Sequence, residues 1–150
     1  MRISPKVFVL VCALSIPACA ASFDDKTIDQ QSIDALEQRA SAAQPKEQCF
    51  LYAQLVHQMI ELSARQIATG DVDHATGLLK RAQELTHRIH MALAGNDRKL
   101  KDAQILLRHT AFRLNELLHA GGFEDRPLVE QTLAQLNQAQ SEAMLQVFRK

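Results

Sequence analysis

The sequence predicts an all-α fold: an antiparallel up-down four-helix bundle with a short extra N-terminal helix. Three observations carry this. Apolar residues recur at three- and four-residue spacing through most of the chain, the period of one helix face. Only five Gly and four Pro occur in 150 residues, too few for the many turns of an all-β chain. Most of these Gly and Pro fall where the periodic runs stop or start. The length suits one domain. A hydrophobic content of 47% excludes wholesale disorder. Seventeen basic residues balance seventeen acidic ones, which leaves no electrostatic case for a nucleic-acid binder.

The first twenty residues have the order of a secretory signal peptide. Arg2 and Lys6 precede an apolar run over residues 7–16. That run is half the ~20 residues a membrane-spanning helix needs. Pro17 breaks it, and Ala18, Cys19 and Ala20 supply small residues for cleavage after Ala20. Residues 16–19 (Ile-Pro-Ala-Cys) also resemble a bacterial lipobox. That resemblance implies a protein lipidated at Cys19 and held on a membrane face. Either route exports the chain, and the periplasm is the expected compartment. Removing the leader takes Cys12 and Cys19 with it and leaves a slightly acidic chain with Cys49 alone. A lone cysteine in an oxidising compartment is either a buried inert thiol or an intermolecular bridge.

Residues 21–31 are polar and acidic and read as a flexible lead-in. The bundle domain is expected over 32–150. Ile33, Leu36 and Ala40 mark a short amphipathic helix, ended before Pro45. A long helix over about 46–69 stops at Gly70. Its apolar residues (Leu51, Leu55, Val56, Met59, Ile60 and others) cover more than half the circumference, so it needs neighbours on several sides. Asp71 or Asp73 caps the next helix, to about Ala94, with the seam Ala75, Leu78, Ala82, Leu85, Ile89, Ala92. Asn96 or Asp97 caps the fourth, to about Ala120, with the seam Leu100, Ala103, Leu107, Ala111, Leu114, Leu118. Asp125 and Pro127 open the last, whose seam is Val129, Leu133, Leu136, Ala143 and Val147, interrupted by Gln140. Short loops between helices of similar length favour the up-down bundle.

Catalytic and metal chemistry find little support. Two Glu-x-x-His pairs, Glu84 with His87 and Glu116 with His119, carry the spacing of a di-metal bundle. Both lie opposite their seams and differ in height by about 15 Å. His57 with Glu61, and His87 with His90, are ordinary surface spacings, and no His-Glu-x-x-His or Cys-His cluster occurs. Ser63 sits on an apolar face, and neither a nucleophile elbow nor a phosphate loop is present. No enzyme, cofactor or metal is expected.

Two surface features remain. Basic residues crowd 80–113, including Arg98, Lys99 and Lys101, while 24–37 is acidic. Either these are solvated faces, or the acidic head docks on that hairpin, or the basic patch meets an anionic envelope surface. Ile105 and Phe112, seven residues apart with His109 between them, form an apolar stripe behind the fourth seam. Either the short first helix covers it through Ile33 and Leu36, or it is a dimer or partner surface.

Residues 62–85 resemble one tetratricopeptide hairpin, on Leu62, Gly70-Asp71, Ala75, Leu79 and Ala82. No second copy follows at that family's repeat length. The resemblance implies peptide or protein binding. The C-terminal half, with Arg98-Lys99-Leu100-Lys101, Leu106-Leu107-Arg108, Arg113-Leu114 and Phe123-Glu124-Asp125, is similar to uncharacterised exported helical-bundle proteins of bacteria and implies no activity.

The expected function is that of an exported, non-enzymatic interaction or scaffold protein of the cell envelope. Its partner is another protein or a second copy, with no nucleic acid and with membrane-surface association open. The partner-binding residues are Ile105, His109, Phe112, Arg98, Lys99 and Lys101. A small-ligand or metal-binding bundle is the alternative.

Overall fold

Residues 28–92, 99–120 and 124–149 are described by a computed structural model. The leader with Cys19, Arg98, the Asn96 and Asp97 caps, and the side chains of 90–92 lie outside the described residues. Among those described, the chain forms five α-helices and no strand.

Helix α1 spans Gln30–Ala42 and begins inside the stretch expected as a lead-in. Its start is fixed by a capping box. Asp29 Oδ1 accepts the Ser32 N–H at 2.7 Å, and Ser32 Oγ accepts the Asp29 N–H at 3.1 Å. The Ser32 N–H, donating to it, holds the Asp29 carboxyl below the usual carboxylate range. Helix α2, Pro45–Thr69, begins on proline and stops at Gly70, whose φ of 85° is left-handed. A side chain at Gly70 would meet no clash but would strain the backbone. Helix α3, Val72–Ala92, follows at once. The Asp71 carbonyl accepts its first helical bond from Ala75, while the Asp71 carboxylate holds His74 Nδ1 at 2.7 Å.

Helix α4, Leu100–His119, starts behind Lys99. Lys99 has a φ of 60°, an uncommon conformation for a residue with a Cβ. Its ammonium lies 5.0 Å from the centre of the Phe50 ring, which ties the start of α4 to α2. Helix α5, Arg126–Val147, has Asp125 at its N-cap. That carboxylate does not cap the helix. It accepts the Thr76 hydroxyl at 3.1 Å and binds α5 to α3.

The neighbour order differs from the consecutive one that short loops suggest. α2 packs on α3, and α4 on α5, as antiparallel hairpins. The hairpins then lie side by side, α2 against α4 and α3 against α5. α3 and α4 are not a packed pair among the described residues. Contacts of α2 with α4 (His57 to Thr110, Glu61 to Arg113) advance together along both helices, so these two run parallel. Thr76 to Asp125 and Gln83 to Gln131 show the same for α3 and α5.

The core is a Leu/Ala interior with few aromatics. Leu55, Met59, Ile60, Leu79, Ile89, Leu107, Leu114 and Leu136 are fully buried. The α3 and α4 seams are buried as expected from Ala75 to Ile89 and from Leu100 to Leu114. In α5 the buried row is Val129, Thr132, Leu136, Ala139 and Ala143, a strict alternation of three and four. Leu133 and Val147 are only partly buried. The buried polar residues Ser63, Thr86, Thr110 and Thr132 all donate their hydroxyl to the carbonyl four residues back, at 2.7–2.8 Å. Each hydroxyl is thereby satisfied within its own helix.

Candidate partner-binding surface

Helix α1 does not cover the Ile105 and Phe112 stripe. Ile33, Leu36 and Ala40 are buried in the core and α1 packs on α2. Polar contacts add to that apolar seat. Arg81 of α3 pairs with Glu37 and lies 3.7 Å from Asp34, and Arg65 of α2 donates to the Ile28 carbonyl. The acidic head thus reaches one member of the basic set, Arg81. Its earlier acids, Asp24 and Asp25, lie outside the described residues.

The stripe is therefore open. Phe112 is 65% exposed and Ile105 38%. The α5 residues Met144, Leu145 and Phe148 are 40%, 65% and 78% exposed. Because α4 and α5 are antiparallel, the end of α5 lies beside the start of α4. The five side chains therefore share the outer side of one hairpin, and no other large apolar side chain among the described residues is as exposed. Together they show on the order of 500 Å², at the upper end of what a monomer usually leaves bare. Sequence reading missed the α5 trio. Its signal was the same as for Ile105 and Phe112, namely large apolar residues off the buried row.

The other expected residues separate. Lys101 and His109 are exposed on α4. Lys99 is exposed but engaged with Phe50. His109 lies on the α2 side of the helix, where its charge acts on His57. Cys49 is 1% exposed, and burial pushes its thiol up to about 11. A thiol so placed is held protonated and out of contact with solvent.

His57 sits in the α2/α4 seam. Its Nδ1 is 3.0 Å from Thr110 Oγ1. The Thr110 proton goes to the Leu106 carbonyl, so His57 Nδ1–H is the donor. Burial lowers the His57 pKa, Glu61 opposes that, and His109 and Arg113 add to it. A histidine that resists protonation when folded binds more protons when unfolded. Stability is then full above about pH 6.5, the ordinary value, and falls as pH drops towards the lowered folded value. Urea midpoints at pH 7.5 and 5.5 should show this loss in the wild type and a smaller one in His57→Gln.

Glu84, His87, Glu116 and His119 all lie on exposed faces. Arg113 pairs with Glu116 at 3.0 Å and with Glu61 at 3.3 Å, and His119 Nδ1 donates to the Asn115 carbonyl. No group of three or more potential ligands that could hold a metal occurs among the described residues. A cavity of about 220 Å³ between α3 and α5, lined by Thr86, His87, Gln135, Gln138 and Ala139, is shallow. No described helix is long and apolar enough to cross a membrane. Compared with family models, curated proteins and solved structures, the chain matches none.

Proposed function

We propose that this is an exported, non-enzymatic interaction protein of the cell envelope that binds another protein chain through the outer face of α4 and α5. The observation that supports this reading is the location of the exposed large apolar side chains, which among the described residues all lie on one hairpin. Such a patch loses free energy on being covered, at about 25 cal/mol per Å². The alternative cover, α1, is committed elsewhere: it buries Ile33, Leu36 and Ala40 against the core on the α2 side. The export half of the proposal rests on the order of charge, apolar run and small residues over the first twenty positions.

A photo-crosslinking amino acid at position 112, in cells, tests the docking surface. An adduct with a protein chain is expected from position 112 and not from position 84, which is exposed on α3. Equal labelling from both positions, or none from 112, would refute the reading.

A further inference from the structure

We propose that the occupant of the α4/α5 face is a second copy of this chain, seated through the same face. The proposal rests on the docking reading above and names its partner. The helices form a stack of α1, then the α2/α3 hairpin, then the α4/α5 hairpin. α1 closes one end of that stack, and the apolar side chains crowd the other. A chain with one open face closes it fully by a single two-fold contact and stops at two copies.

Size supports a hairpin as the occupant. α4 and α5 have 20 and 22 residues, about 30 Å each, with axes about 10 Å apart. Two such faces hide about 1,200 Å² or more in total, which reaches the range of specific stable interfaces. A single partner helix covers a strip about 10 Å wide. It would leave either the Ile105/Phe112 row or the Leu145/Phe148 row bare.

Charge supports a copy of this hairpin. Towards the middle of the face Lys101 and Arg108 lie on α4, while α5 offers the neutral Ala134, Asn137 and Ser141, its arginine Arg126 lying at the far end beside Glu130. A two-fold axis parallel to the helices lays α4 of one copy along α5 of the other, in opposite directions at the same height. Lys101 and Arg108 then meet neutral residues and Met144 of the second copy instead of each other. Glu116 and Glu130, at the far end of the face, each carry their own arginine, Arg113 and Arg126, at 3.0 Å.

Sedimentation equilibrium of residues 21–150, which hold every core residue from Ile33 to Ala143, tests this. A dimer is expected at micromolar concentration. Phe112→Asp and Leu145→Lys should each weaken it at least about tenfold with helicity and melting unchanged. A wild type that stays monomeric at 200 μM overturns the proposal. So does a dimer that survives both substitutions while folded. If the monomer still gives a position-112 adduct with a different protein, only the second copy falls and the docking surface stands. If it gives no adduct, both fall. A monomer that binds phosphatidylglycerol vesicles, and loses that binding in Phe112→Asp, gives the face to a membrane and also overturns the proposal.

Discussion

Leu107→Ala is expected to lower the unfolding free energy by about 3 kcal/mol, read from urea denaturation. Leu107 is fully buried on the α4 seam. Truncation removes its transfer free energy and leaves a cavity that rigid helices on both sides cannot close. Five residues on, Phe112→Ala should change stability by less than about 0.5 kcal/mol, since its ring is 65% exposed. The larger side chain thus matters less to the monomer. The same Phe112→Ala change should register only in association. That contrast separates a face kept for folding from a face kept for contact. If Phe112→Ala costs as much as Leu107→Ala in a monomer, the stripe is core and the docking reading is wrong.

Periodicity gives the face of each helix that is buried, and here it did so for α3 and α4 almost residue by residue. It is silent on which neighbour that face meets. The pairing of α2 with α4 depends on His57 with Thr110 and Glu61 with Arg113, more than fifty residues apart, and no local spacing encodes such pairs. The α5 row was partly misread because Thr132 looked polar and Gln140 looked like a break. The Thr132 hydroxyl is cancelled by the Leu128 carbonyl, and the row runs one position earlier, through Ala139. Leu145 lies opposite the α5 row in either register, and the shift moves Met144 and Phe148 further outward. Ile105 and Phe112 were legible because the α4 seam was read in the right register. The position of α1 was not, since the seam of Ile33, Leu36 and Ala40 marks a buried face without naming α2 as its neighbour, and the Arg81 pairs with Asp34 and Glu37 join residues more than forty positions apart.

Ala75→Leu is the second large effect, about 2–3 kcal/mol of destabilisation. α2 and α3 come close where Ser63 faces Ala75, and neither is exposed. Ser63 Oγ is 2.7 Å from the Met59 carbonyl and 3.4 Å from the Ala75 carbonyl, so side chain and opposing backbone are nearly in contact. Three extra carbons can enter only if the helices separate, and the Gly70 turn a few residues away resists that. Leucine at the exposed Ala68 position should be close to neutral, which excludes a mere hydrophobicity effect. Ser63→Ala should also be nearly neutral or slightly stabilising. The Met59 carbonyl remains within the helix hydrogen-bond ladder, and alanine is the better helix former. A large cost for Ser63→Ala with little for Ala75→Leu would mean that the hydroxyl, and not close approach, holds α2 and α3 together.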